Sequence, residues 1–259
     1  MAVAARMDSF VAPTITQQNL YDGIKQAFTN AGYPAPFDEF TSGTDKIAVY
    51  AVIIDSTKLA GTAYLRIRVT TALVVAQQIY SGWTVSTHVG TNGSTEITYT
   101  ALASNLQVNF VALNANPEYK LILVYQNTVY YPLGYCSPNN KPSWWDLNSF
   151  PYVFIPTGNT FSLFRTSALN PYNTTEHDIA LAGTSRLGSV NTISNRRDIL
   201  QGLILLSQSN TGLSGRTSDD LVLFAGSSTS RFDVLQIPNS SNQYLILNPS
   251  SGGLAVRVA

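Results

Sequence analysis

Short β-prone segments recur along most of this sequence, separated by runs of Gly, Pro, Asn, Asp and Ser. Residues 47–55 form a nearly continuous apolar run, which predicts a strand buried on both faces. Residues 64–70 alternate instead, which predicts that Leu65, Ile67 and Val69 face the core. A spacing of about ten to fifteen residues between strands is typical of an antiparallel β-sandwich or barrel-like domain. Further strands are predicted at residues 72–80, 85–88, 96–101, 108–113 and 119–125.

An Asn-Gly pair at Asn92 and Gly93 lies between two of these segments. Type I′ turns need a positive φ at two successive residues, and Asn-Gly meets that need. The sequence therefore predicts a hairpin that joins residues 85–88 to residues 96–101 through a turn at residues 91–94.

One segment near the start of the chain has helical periodicity. Thr14 and Gln17 stand at capping-box spacing, and Gly32 is a natural residue to end the helix. Residues 1–15 have no clear period, so we expect an N-terminal arm that is mobile alone or ordered against a neighbouring subunit. The predicted buried face of the helix consists of Leu20, Ile24, Ala27, Phe28 and Ala31.

Residues 129–156 hold the only cysteine, two of the three tryptophans and five of the twelve prolines. Proline removes a backbone donor and fixes φ, so neither a helix nor a central strand is expected here. We expect an ordered aromatic loop over residues 130–156, packed on a neighbouring subunit or folded back on its own sheet. The same rings could instead form a platform that stacks on sugars. The candidate interface residues are Tyr131, Tyr135, Trp144, Trp145, Tyr152 and Phe154.

The composition becomes rich in Ser, Thr, Asn and Gly beyond this loop. We place a boundary near Ser167, between a helix-plus-sandwich domain at residues 16–167 and a smaller C-terminal β region at residues 168–259. Residues 199–206 are predicted either as a short helix or as a buried strand. A short strand pair is predicted at residues 153–155 and 161–165, and a final meander at residues 221–224, 232–237, 244–247 and 254–258.

Charged residues make up only 12% of the chain, and its formal net charge is zero. Without an excess of positive charge or a basic run, we expect no binding to nucleic acid. A neutral surface with few charges gives little mutual repulsion, so it favours self-association. No apolar run approaches the length of a membrane span, and no signal peptide is expected. Cys136 has no partner for an internal disulfide and is expected as a buried free thiol.

Catalytic chemistry has little support in the sequence. Glu176, His177 and Asp178 are adjacent, but three consecutive residues do not readily converge on one metal, and a solvated loop is the simpler interpretation. His88 is expected on a strand or hairpin face. The sequence contains neither a nucleophile elbow, nor a P-loop, nor a dinucleotide fingerprint, nor a calcium loop. We therefore expect a non-enzymatic protein with no cofactor and no metal site.

Three segments of the chain carry a resemblance to one class of proteins. They are QQNLYDGIKQAFTNAGY, YYPLGYC followed by KPSWWDLNSFPY, and the C-terminal LILNPSSGGLAVRVA. In these segments and in its Ser/Thr/Asn/Gly-rich β tail, the chain resembles small structural proteins of tailed bacteriophage virions. The resemblance implies a non-catalytic component of the tail, baseplate, neck or fibre apparatus, located in the virion. It also implies a ring or trimer that contacts other virion proteins, since closed symmetric assemblies are the norm.

Three other functions stay open at this point. The first is a carbohydrate-binding module that recognises a host surface glycan through the aromatic loop. The second is a capsid decoration protein, which needs the same sheet chemistry. The third is a hydrolase that acts through His177.

Overall fold

The computed structural model describes residues 3–53, 62–115, 118–137, 153, 155–157, 162–164, 193, 197–202, 204–206, 213–225, 228–237, 239–249 and 253–259. Within these residues the chain forms one α-helix and twenty β-strands. The strand pairs of the described residues are antiparallel. The predicted mainly β fold with one N-terminal helix is confirmed.

The helix and the first eleven strands precede residue 137. Their bounds are β1 Ala5–Val11, α1 Gln17–Asn30, β2 Asp38–Ser42, β3 Asp45–Ile53, β4 Thr62–Val69, β5 Val75–Tyr80, β6 Gly82–Thr84, β7 Val89–Thr91, β8 Ile97–Thr98, β9 Val108–Ala115, β10 Tyr119–Gln126 and β11 Val129–Cys136. The strands that follow are β12 Ile155–Thr157, β13 Ser162–Phe164, β14 Ile199–Gln201, β15 Ile204–Leu206, β16 Leu213–Arg216, β17 Leu221–Phe224, β18 Val234–Gln236, β19 Gln243–Asn248 and β20 Gly253–Arg257.

Three sheets make up most of the described fold. The front sheet has the strand order β2-β3-β4-β5-β8, the central sheet β1-β9-β10-β11, and the C-terminal sheet β14-β17-β20-β19-β18. Three strand pairs, β6-β7, β12-β13 and β15-β16, accompany them. The predicted short strand pair is confirmed as β12-β13, shifted by one or two residues.

Three strands of the central sheet, β9, β10 and β11, are covered on both faces. Successive residues of a strand point to opposite faces, and Tyr130 and Tyr131 of β11 show the two environments. The Tyr131 ring stacks on Tyr99, beside the front sheet, with 4.3 Å between ring centres. The guanidinium of Arg231, from the C-terminal region, lies 3.6 Å from the centre of the Tyr130 ring. The fold is therefore layered, with the central sheet in the middle.

Burial on both faces accounts for the apolar sequence of the central strands. Residues 110–113 of β9 and 121–124 of β10 are buried without interruption. The same hydrophobic core continues into the C-terminal sheet through Leu223 and Val256. Ser167 lies outside the described residues, and the division of the chain at that point stays a prediction.

Helix α1 packs between the central and front sheets. Its contacts are with β1 and β9 on one side and with β3 and β4 on the other. Phe28 stacks on Tyr50 of β3 with 4.3 Å between ring centres. All five predicted face residues are buried, as is Tyr21, which the sequence pattern did not include. Because a buried face holds the helix to two sheets, its stability comes from packing more than from propensity.

The ends of the helix differ slightly from the prediction. The capping box uses Thr16 and Asn19 rather than Thr14 and Gln17: Asn19 N donates to Thr16 Oγ1 at 3.2 Å, and Thr16 N donates to Asn19 Oδ1 at 2.7 Å. At the other end Gly32 takes a φ of +77° after the C-cap, as predicted.

The N-terminal arm predicted at residues 1–15 is wrong for the part that the structure describes. Residues 5–11 form β1, which pairs along its whole length with β9 of the same chain. The sequence ARMDSFV has no clean alternation because β1 is an edge strand, largely exposed on both faces. An edge strand needs little apolar patterning, so periodicity gave no signal.

The predicted hairpin is also placed differently. Residues 85–88 form the turn between β6 and β7, not a strand. His88 supplies a residue with positive φ (+54°) in that turn. Asn92 also has a positive φ, but it directs the chain from β7 towards β8, which pairs with β5. The Asn-Gly pair is therefore not the turn of a hairpin between neighbouring strands.

In the front sheet the strands predicted at residues 47–55, 64–70 and 72–80 are confirmed as β3, β4 and β5, whereas residues 96–101 contain only the short β8 and β2 was not predicted. Along β4 the residues alternate strictly, with Leu65, Ile67 and Val69 buried and the intervening residues partly exposed. In the C-terminal sheet, β18, β19 and β20 follow one another as a meander, but β17 pairs with β20 and not with β18. The predicted four-strand meander is therefore wrong in placing β17 next to β18. Residues 199–201 and 204–206, predicted as a short helix or a buried strand, form strands β14 and β15 on either side of Gly202, whose φ is +70°, and β14 is partly exposed.

Candidate functional site

The predicted aromatic loop begins as a strand. Residues 129–136 form β11, which pairs with β10, so an irregular excursion over 130–136 is wrong. Pro132 is compatible with this strand because β11 has a ladder partner on one side only in the central sheet. Proline is tolerated on an edge strand when its nitrogen faces away from the neighbouring strand, because no ladder hydrogen bond is then lost.

Two of the six candidate interface residues lie in the core. Tyr131 and Tyr135 are 0% and 1% exposed, and burial raises the pKa of both hydroxyls. The Tyr135 ring meets Tyr33 edge to face with 6.0 Å between ring centres. The structure therefore gives these two rings a packing role. Trp144, Trp145, Tyr152 and Phe154 lie outside the described residues, and their role as contact residues stays a prediction.

Cys136 ends β11 and is fully buried, as expected. Burial raises the pKa of its thiol, and the Glu118 carboxylate raises it further. A raised pKa leaves less of the reactive thiolate at neutral pH. We expect the native protein to react with 5,5′-dithiobis(2-nitrobenzoic acid) about a hundredfold more slowly than the urea-unfolded chain at about pH 8. Because the chain has one cysteine, absorbance of the released thiolate reports on this site alone. Rapid stoichiometric labelling of the native protein would contradict the assignment.

A second candidate site lies on the outer face of the front sheet, beneath the hairpin formed by β6 and β7. We call it the hairpin cleft; its volume is about 300 Å³. Its lining residues are Phe40, Ser42, Ile47, Arg66, Tyr80, Trp83, His88, Val89 and Gly90.

Asp38 holds the hairpin over the sheet. Its carboxylate accepts a hydrogen bond from Trp83 Nε1 at 2.7 Å, and the same oxygen lies 2.9 Å from His88 Nδ1. The Asp38 side chain is only 4% exposed, whereas that of His88 is 44% exposed. Trp83 precedes the hairpin turn and His88 is its last residue, so one buried carboxylate holds both ends of the turn. A buried carboxylate needs such partners, since its charge is otherwise costly.

Aromatic rings form the walls of the cleft. Phe40 stacks on the His88 imidazole with 4.1 Å between ring centres. Trp83 meets Tyr80 edge to face, with 5.2 Å between centres. These rings lie between the hairpin and the sheet and line the cleft.

Paired charges lie behind the rings. Arg66 Nη1 donates to Gln78 Oε1 at 3.0 Å and lies 3.4 Å from Glu96 Oε2. Arg68 pairs with both Glu96 and Asp45, and its hydrogen bond to Glu96 raises the pKa of the guanidinium. These two cations pair with two carboxylates, and with Asp38 beside them the sheet surface beneath the cleft carries no excess of positive charge.

Sequence reasoning did not find this site. Asp38 is 45 residues from Trp83 and 50 from His88, and only the fold brings them together. The one available signal was the closeness of Trp83 and His88 in the sequence. His88 was predicted on a strand or hairpin face, and the structure places it in the turn of the β6–β7 hairpin instead.

The acidic cluster around His177 lies outside the described residues, so its role is untested. Among the residues that the structure describes, no three His, Cys, Asp or Glu side chains are grouped to hold a metal ion. Within the same residues, no helix has the length and apolar character needed to cross a bilayer.

Comparison with known proteins gives no family for the chain. The sequence matches no family model, and none of the curated proteins is significantly similar to it.

Proposed function

We propose that the chain is a non-enzymatic structural subunit of a bacteriophage particle, a tail, baseplate or fibre-associated component that assembles through contacts between β-domains. The resemblance to virion structural proteins supports the particle, and the zero net charge supports self-association. A capsid decoration protein would use the same kind of contact. The observation that carries the proposal is the exposed edge of the central sheet.

Strand β1 forms this edge. Phe10 and Met7 are 64% and 54% exposed, and they lie on opposite faces of the strand because their spacing is odd. An edge strand with exposed apolar side chains is a template for pairing with another chain. In an assembly the neighbouring subunit would extend the central sheet and cover both side chains.

The charges on β1 do not protect this edge. Proteins commonly place unpaired charges, especially lysine, on an edge strand to prevent association. In β1 the charged residues are Arg6 and Asp8, and they bind each other through two hydrogen bonds of 2.7 and 2.8 Å. The edge therefore presents little net charge to an approaching strand.

Light scattering over a concentration series tests the assembly. We expect the purified chain to form a discrete oligomer, and Phe10→Lys to weaken its association about tenfold or more, because a buried charge at the new interface is unfavourable. The matched control is Leu106→Lys, which alters a side chain 40% exposed in the loop before β9. A strictly monomeric chain, or equal weakening by both substitutions, would contradict the proposal.

A further inference from the structure

We propose that the hairpin cleft is a binding site for a neutral saccharide, with one sugar ring seated between the β6–β7 hairpin and the front sheet. This inference does not depend on the assembly function. It rests on three features of the cleft: its walls, its hydrogen-bonding groups and its charge.

The walls suit the apolar face of a sugar ring. Phe40, Trp83 and His88 present flat rings to a cleft of about 300 Å³, at the small end of the range for ligand sites. One face of a pyranose carries mainly C–H groups, which pack against aromatic rings as other apolar surfaces do. His88 stacks on Phe40 and is still 44% exposed, so its ring remains accessible to a ligand.

The hydrogen-bonding groups suit hydroxyls. The Arg66 guanidinium has five N–H donors, and its contacts with Gln78, Tyr80 and Glu96 within the described residues all involve Nη1. Arg66 lines the cleft, so its guanidinium is placed to donate to acceptor oxygens of a ligand there. Ser42 adds a hydroxyl at the rim. The Arg66 guanidinium is held in place by Glu96 and Gln78, so it needs little ordering on binding.

The charge balance favours a neutral ligand over an anionic one. Arg66 and Arg68 are matched by Glu96 and Asp45, and Asp38 adds a further carboxylate beside His88. A site for a phosphate or a sialic acid would need an excess of positive charge. Sugar hydroxyl groups donate and accept hydrogen bonds without carrying charge, so a site for them does not need an excess of positive charge.

Saturation-transfer NMR on the full chain tests the site. The probes are methyl α-D-glucopyranoside, methyl β-D-galactopyranoside and N-acetyl-D-glucosamine, with N-acetylneuraminic acid as the anionic comparison. We expect at least one neutral probe to receive saturation on its ring C–H protons, and the anionic probe to receive less. The absence of transfer to all three neutral probes, or stronger transfer to the anionic one, would overturn the proposal.

Ser42→Trp locates the binding. Ser42 is exposed and lines the cleft, so an indole there fills the opening without removing a core contact. We expect it to lower the signal about tenfold, an effect of about 1.4 kcal/mol. Ser230→Trp, at an exposed serine of the C-terminal region, is the matched control and should leave the signal unchanged. If binding persists in Ser42→Trp, the site lies elsewhere and the inference is wrong. Light scattering of both variants shows separately whether assembly is intact.

Discussion

Gly134→Ala is expected to destabilise the protein by about 3 kcal/mol or more, through backbone strain and overpacking together. Gly134 lies in β11 with a φ of +111°, and a Cβ built there would lie 2.2 Å from the carbonyl oxygen of Lys120. That oxygen already accepts a hydrogen bond from Tyr33 Oη at 3.0 Å. Since the obstacle is backbone of the paired strand β10, it cannot move without opening the ladder. Urea unfolding followed by circular dichroism measures the loss.

Gly43→Ala separates the two causes. Gly43 also has a positive φ (+62°), but no atom lies within 4 Å of a Cβ built there. Its replacement should therefore cost only the left-handed conformation, about 1 to 2 kcal/mol. If both alanine variants lose the same free energy of unfolding, the close approach of β10 to Gly134 does not contribute to the loss in Gly134→Ala. That result would contradict the overpacking expected at Gly134.

Gln77→Leu is expected to cost about 3 to 5 kcal/mol, since several polar groups in the core lose their partners at about 1 to 3 kcal/mol each. Gln77 is fully buried on β5. Its Nε2 donates to the carbonyl oxygens of Pro132 at 3.2 Å and Pro156 at 2.7 Å, and its Oε1 accepts from Gly134 N at 3.2 Å. One side chain thus joins the front sheet to β11 and β12. Leucine fills a similar volume but satisfies none of these groups.

The midpoint of urea unfolding should fall in Gln77→Leu while the slope stays constant, because the surface exposed on unfolding does not change. Gln107→Leu is the control: Gln107 is exposed, and its replacement should change stability by no more than about 0.5 kcal/mol. A Gln77→Leu protein as stable as the wild type would show that the network between the sheets is not a source of stability.

The features that local pattern controls were predictable. The apolar run of β3, the alternation of β4 and the buried face of α1 each follow from side-chain periodicity, and the structure confirms them. Strands whose sequence reflects their position at the edge of a sheet could not be predicted in this way. β1 is an exposed edge strand without alternation, and β11 contains a proline that only an edge position accepts.

The hairpin cleft was beyond sequence reasoning for a related reason. Nothing in the sequence around Asp38 indicates that its carboxylate is buried. Its burial depends on the β6–β7 hairpin, which folds over the front sheet. Likewise, Tyr131 and Tyr135 have the sequence character of surface contact residues in a proline-rich segment. They are buried only because other parts of the fold pack against the central sheet. Aromatic composition alone does not distinguish an interface from a core.

The pairing of β1 with β9 has a consequence for the order of folding. Their paired residues are roughly 100 positions apart in the chain, so closing the central sheet is a non-local and slow event. At synthesis rates of about 5 to 20 residues per second, β1 leaves the ribosome about 5 to 20 seconds before β9. During that interval both edges of β1 are unpaired, with Met7 and Phe10 available to other chains. The strand that we assign to subunit contact is therefore also a segment that needs protection while the protein is being made.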